Sequence, residues 1–317
     1  MNSKPVIVVV GATGAQGGGL ARAILGDKES PFSVRAITRN PDTDKARALA
    51  ALGAEIVTAD LDDAASLLDA FNGAYGAYCV TNFWEHFSPD TEIAQASRMA
   101  DAAKANGLKH VIWSTLEDSR HWIPLDDDRM PTLMGKYKVP HFDAKAEANQ
   151  EFTDRSIPVT FLLTSFYWEN FIYFGMGPQR SQDGVLAITI PMGDKKFPGI
   201  ATEDIGRCAY GVFRQPDRYT YKTTGIAGEH LSGTEIAAAF GKALGETVRY
   251  QAVEPATYRE FDFPGAADLG NMYQFNRDFS EDFCAARSID ESRSLNPSLQ
   301  TFGRWLEQNK NRIPMTS

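Results

Sequence analysis

The sequence predicts an α/β fold, a doubly wound parallel sheet followed by a smaller α+β lobe. Three observations carry this expectation. The continuous apolar run Val6 to Val10 ends at a glycine, as in a parallel strand covered on both faces. Strand-like and helix-like stretches then alternate as far as Leu163. Beyond Leu163 the alternation stops, although short strands and helices continue.

The elements follow in order. After the first strand, a helix is expected from about Gln16 to Gly26, with Leu20, Ala23 and Ile24 on one face. Ser33 to Thr38 reads as the second strand, and Pro41 to Leu52 as a helix stopped by Gly53. Glu55 to Ala59 reads as the third strand. Asp62 to Phe71 is a helix with an acid at its favourable end. Ala74 to Val80 is the fourth strand. Ser88 and Pro89 open a long helix as N-cap and first residue, and Gly107 closes it. His110 to Ser114 is the fifth strand. From Glu117 to Pro140, prolines and a run of three aspartates break the pattern, and a long mobile loop is expected. A helix resumes over Phe142 to Phe152, and Val159 to Leu163 is the sixth strand. In the second half, strands are expected at Leu186 to Ile190 and Val248 to Val253. Helices are expected at Thr202 to Phe213, at Thr234 to Leu244, from Pro255, and at Leu299 to Gln308.

A chain of 317 residues exceeds what one core usually supports. Residues 1–164 are expected to form a Rossmann-type domain and residues 165–317 a smaller lobe, with room for later strands to rejoin the first sheet. The formal charge of −9 argues against direct binding of nucleic acid. Cys79, Cys208 and Cys284 are too scattered for a zinc site or a disulfide framework, so no metal is expected. No apolar run reaches the roughly 18 residues that a membrane span needs. The opening run lacks the length and cleavage site of a secretory signal, so a cytoplasmic location is expected.

The first strand leads into Gly11-Ala-Thr-Gly14-Ala-Gln-Gly17, a GxxGxxG loop opening a helix. Such glycines allow a tight turn, close approach of a pyrophosphate, and packing of the helix on the strand. Free N–H groups and the helix dipole then favour the phosphates. Dinucleotide enzymes that take NAD carry an acid at the end of strand two. Here that strand ends Thr38-Arg39-Asn40, and the guanidinium of Arg39 suits a 2′-phosphate. The cofactor expected is NADP(H).

Several segments resemble the NmrA-like family of atypical short-chain dehydrogenase/reductases, and within it the vertebrate NADP(H) redox-sensor branch. They are GATGAQGG (11–18), TRNP (38–41), VTNFWE (80–85), HFDAKAE (141–147), FYWEN (166–170), FPGAADLGNMYQF (263–275) and LNPSLQTFGRWLEQNK (295–310). The resemblance implies that Gly11, Thr13, Gly14, Ala15, Gln16 and Gly17 hold the pyrophosphate, and Arg39 and Asn40 the 2′-phosphate. Asp60 and Leu61 would flank the adenine, and Thr81, Asn82 and Phe83 would line the nicotinamide side. Lys145 would bind the nicotinamide ribose, and Tyr167, Trp168, Glu169 and Asn170 would close over the nicotinamide. The chain departs from the sensor branch at Asp42 and Ala94, where that branch carries basic residues.

Short-chain dehydrogenases use a Tyr-x-x-x-Lys pair and a serine to move a proton during hydride transfer. This chain has His141-x-x-x-Lys145, and Ser114 is the candidate serine. Tyr137 is eight residues from Lys145 and is not its one-turn neighbour. His141 is a candidate substitute acid, since imidazole titrates near neutral pH. Two functions follow. One is an NADP(H)-binding redox sensor whose occupancy changes its choice of a regulatory protein partner, without the usual catalytic pair. The other is an NADPH-dependent oxidoreductase acting on a small-molecule quinone, carbonyl or aryl ether through Lys145 or His141. Turnover of ordinary carbonyls is expected to be slow or absent, and a homodimer is compatible with either function.

Overall fold

A computed structural model describes residues 4–314. Its main sheet has seven strands among the described residues: β1 Val6–Val9, β2 Ser33–Thr38, β3 Glu55–Thr58, β4 Gly76–Cys79, β5 His110–Thr115, β6 Val159–Leu163 and, from the second half, a late strand at Thr223–Gly225. The order is late strand, β6, β5, β4, β1, β2, β3, and every pairing is parallel. The first six strands are those read from the sequence, with ends shifted by one or two residues.

Alternation along β1 divides the core. Ile7 and Val9 face a layer containing α1 (Ala15–Gly26), while Val8 and Val10 face α3 (Ala64–Phe71), α5 (Pro89–Ala105) and α6 (Pro140–Asp154). Between these helices lie α2 (Asp44–Ala51) and α4 (Phe83–His86). Ser88 caps α5 by accepting the N–H of Thr91, with Pro89 in the first turn. The four-residue α4 escaped the sequence reading, being too short to show a period.

The second half supplies β7 Phe166–Tyr167, α7 Asn170–Tyr173, β8 Gln179–Arg180, β9 Leu186–Ile190, β10 Lys196–Ile200 and α8 Thr202–Phe213. After them come α9 Pro216–Tyr219, β11 (the late strand of the main sheet), β12 Glu229–Ser232, α10 Gly233–Leu244, β13 Val248–Ala252 and α11 Pro255–Arg259. The last helices are α12 Ala266–Asp278, α13 Ser280–Ala285, α14 Ile289–Leu295 and α15 Phe302–Asn309. Two small sheets, β12–β10–β7 and β13–β9–β8, surround a second core that includes Phe197, Phe240, Phe302 and Trp305.

The two halves interleave. β11 returns to the main sheet beside β6. α8 lies so close to α1 that a Cβ on Gly206 would stand 2.0 Å from the Leu20 nitrogen. The nucleotide layer is therefore built from both sides of residue 164.

The segment between β5 and α6 is irregular, as expected, but it is fastened down. Ile123 and Met130 are buried, and the fully covered Lys138 donates to the carbonyls of Asp127 and Met130 at 2.7 Å each. Asp143, itself buried, accepts the N–H groups of Ser119, Lys138 and Val139. The expectation of a mobile loop rested on its polar composition. That composition instead satisfies the backbone of a non-repetitive segment.

Candidate functional site

The GxxGxxG loop lies at the carboxyl edge of the sheet, between the ends of β4 and β2. Gly11 has φ of +63°, and a Cβ on Gly17 would meet the carbonyls of Val10 and Gly11 at 2.6 Å. The loop is closed by Gly14 N–H donating to Gly11 carbonyl at 2.8 Å. Helix α1 begins after Gly14 with no side-chain cap and no acid in its first turn. Gly11, Gly14 and Ala15 are exposed and Thr13 half-buried. The open N-terminal turn and the exposed glycines fit a pyrophosphate.

Beneath the loop, the buried amide of Gln16 gathers three side chains. The hydroxyls of Tyr78 and Ser114 donate to its Oε1, the latter at 2.8 Å, and its Nε2 donates to the Tyr167 hydroxyl. Burial pushes the Tyr78 phenol up, and Tyr167 up to about 12, so both stay neutral hydrogen-bonding groups. Ser114 is thus spent on positioning Gln16, with 1% of its surface exposed. That corrects its reading as a catalytic serine.

A second cluster lies past β4. Lys145 Nζ donates to Thr81 Oγ1 at 2.8 Å and to the Thr81 carbonyl at 3.3 Å, and pairs with Glu92 Oε1 at 2.7 Å. The Thr81 hydroxyl in turn donates to Glu92 at 2.5 Å. Glu92 is fully buried. Burial opposes its ionisation, but the Lys145 ammonium and the donors around it win, holding the carboxyl down to about 2. His86 Nδ1 accepts the Ser88 N–H, which assigns the ring proton to Nε2, 3.3 Å from Glu92 Oε2. Glu92 was missed in the sequence because an acid in a first helical turn reads as an ordinary dipole partner.

His141 and Lys145 project from one face of α6, a turn apart. Asp268 on α12 accepts both the His141 Nδ1–H at 2.7 Å and its backbone N–H at 3.2 Å. The ring packs 4.8 Å from Trp84 and from Phe142, and 6.1 Å from Phe83. Its Nε2 takes no hydrogen bond among the described residues. Tyr137 is buried and bonds Glu147 at 3.2 Å, away from Lys145.

At the other end, Arg39 is exposed and paired with Glu85 of α4. Asn40 uses its Oδ1 to accept the Asp42 N–H at 2.9 Å, and Asp60 likewise accepts the N–H of Asp62 at 3.0 Å. Leu61 is half-buried against the α3 and α5 side of the core. Asn82 precedes α4 and is exposed. Phe83 is buried, 2% exposed, and serves as the floor under His141.

Of the FYWEN segment, only Tyr167 reaches the glycine loop. Trp168 is 2% exposed and packs on Phe302 and Trp305 in the second core. Glu169 accepts the Thr202 N–H at 2.9 Å and Trp305 Nε1–H at 3.0 Å. Asn170 opens α7. The Glu169 carboxylate thus holds the start of α8 to α15 instead of facing the nicotinamide side.

Among the described residues there is no cluster of three or more metal-ligating side chains, and no helix is long and apolar enough to cross a membrane.

Sheet order and glycine loop together define a Rossmann-type α/β protein. The chain belongs to the NmrA-like family, whose profile matches residues 3–306. It is 31% identical over 286 residues to the NmrA-like family domain-containing oxidoreductase FrzB of Cladobotryum sp, covering 84% of this chain and 81% of that protein. It is 32% identical over 258 residues to the corresponding oxidoreductase malD of Malbranchea aurantiaca, covering 78% and 75%. Among solved structures, Nmra, a negative transcriptional regulator, superposes with a TM-score of 0.79 at 23% identity, over 96% of this chain and 95% of that one. The Citrobacter sp. triphenylmethane reductase complexed with NADP(H) gives 0.75 at 21%, over 96% and 99%.

Proposed function

We propose that this chain is an NADP(H)-dependent oxidoreductase that reduces a carbonyl or quinone, with His141 in the place of the usual tyrosine. The carrying observation is the His141–Asp268 pair, whose Nε2 is left without a partner on the same helical face as Lys145. The naming of the family relatives as oxidoreductases supports the same reading.

The residues present suit the cofactor. The turn from Gly11 to Gly17 would take the pyrophosphate and Arg39 the 2′-phosphate, and the triphenylmethane reductase of similar fold is itself complexed with NADP(H). When bound, the nicotinamide supplies the hydride. The chain supplies the rest. Asp268 fixes the imidazole through Nδ1–H, so Nε2 would take up a second proton from solvent and the resulting imidazolium would pass it to the reduced oxygen. Lys145 has its donors committed to Thr81 and Glu92, so it acts by holding the end of β4 in place.

A regulatory reading has one observation in its favour, the absence of the tyrosine at position 141 in a fold shared with a negative transcriptional regulator. NADPH consumption with a panel of quinones and aldehydes separates the two. Turnover reaching roughly 1 per second or more with at least one member is the expected result, in place of the slow carbonyl turnover expected from the missing tyrosine alone, and the absence of turnover across the panel would return the chain to the regulatory reading.

A further inference from the structure

We infer that Glu85 competes with the cofactor's 2′-phosphate for Arg39, which makes the short helix α4 a reader of whether that phosphate is present. This rests on the NADP(H) reading above.

Arg39 directly follows β2 and Glu85 lies just past β4, while β1 and its glycine loop run between those two strands. The Arg39–Glu85 ion pair therefore bridges the carboxyl end of β1, where the loop presents its free N–H groups. Glu85 is the chief partner of this guanidinium, and Asp60 and Asp62 are the further carboxylates that face it. A phosphate reaching Arg39 has to take over the donors that Glu85 now holds. NAD carries no such group and leaves the pair as it is. An exposed ion pair is weak, so the exchange costs little and remains reversible.

The exchange matters because of what else α4 carries. Trp84 packs on His141, and Trp84 also stands where a Cβ on Gly265 would meet it at 2.8 Å. His86 stands 3.3 Å from Glu92, the partner of Lys145. Three successive side chains thus touch Arg39, the proton-donor pocket and the Lys145 anchor. Release of Glu85 is transmitted to Trp84 within one helical turn.

Calorimetric titration of the full chain with NADP⁺ and with NAD⁺ tests this. Glu85→Gln is expected to bind NADP⁺ about two- to fivefold more tightly, the range that an exposed pair allows, with NAD⁺ unchanged. Arg39→Ala is expected to weaken NADP⁺ binding and to abolish the gain when combined with Glu85→Gln. Adenosine 2′,5′-bisphosphate, but not adenosine 5′-monophosphate, is expected to shift tryptophan emission, and the shift is expected to vanish in Trp84→Phe. An equal gain for both nucleotides, no gain, or an emission shift indifferent to the 2′-phosphate would overturn the competition while leaving the cofactor reading intact. Binding of neither nucleotide by the unaltered chain would overturn both.

Discussion

Glu92 shows how a single carboxylate can govern the electrostatics of a site. Its carboxyl is held at about 2 against an ordinary 4.5, chiefly by Lys145 overcoming the effect of burial. A depressed carboxyl contributes stability that is fully present above the unfolded value. That contribution fades as pH falls from about 4.5 toward about 2, because the unfolded chain takes up the proton first. Glu92→Gln is therefore expected to be less stable than the parent at neutral pH and to lose less stability across that acid window. Urea midpoints measured at several pH values check this, and parallel curves for the two proteins would contradict the ion pair. The glycine turn was legible because its backbone requirements depend on local spacing. The partners of Lys145, Glu92 and His141 were not, since each is acquired only when distant segments meet.

Among the elements, α12 accounts most fully for what the sequence concealed. Asp268, Asn271 and Gln274 follow one another at three-residue spacing on the face turned inward. Asp268 holds His141. Asn271 donates to the carbonyls of Pro131 and Lys138 at 2.9 and 2.6 Å, and Gln274 to that of Arg129 at 2.8 Å. The helix also buries Met272, Tyr273 and Phe275 in the second core, so polar and apolar side chains share its covered surface and no clean amphipathic period marks it. The polar row fastens the segment before α6, and Arg287 fastens its start. That guanidinium is fully buried, donates to Thr164 carbonyl at 2.7 Å, and grips both oxygens of Glu117 at 2.6 and 2.8 Å. Removing one partner of a buried pair leaves the other uncompensated, at a cost of about 3–5 kcal/mol. Glu117→Ala should lower unfolding stability by that order, whereas an exposed pair such as Arg47–Asp44 should contribute less than about 1 kcal/mol. Limited trypsin digestion should leave the bond after the buried Lys138 intact with or without NADP(H). Cleavage there that cofactor suppresses would restore the expectation of a mobile loop.

On the scale of the whole molecule, the alternation of strands and helices was legible through β6 because each parallel strand and its crossover form a local unit. The interleaving was not. β11 has three residues, too few for a periodic signal, and its pairing with β6 is set by packing across the chain. α8 was read as a helix, but nothing in its own sequence names α1 as its neighbour. Because that second half also carries Asp268, the candidate acid at His141 is assembled only in the complete fold. The most direct test is His141→Asn, in which the shorter amide can keep the bond to Asp268 while Nε2 is removed. NADPH consumption and NADPH affinity are measured side by side on the parent and the variant. A fall in turnover of about 10²–10⁴-fold with affinity unchanged is the predicted result. Turnover that survives the substitution at unchanged affinity would contradict the assignment of His141 as proton donor.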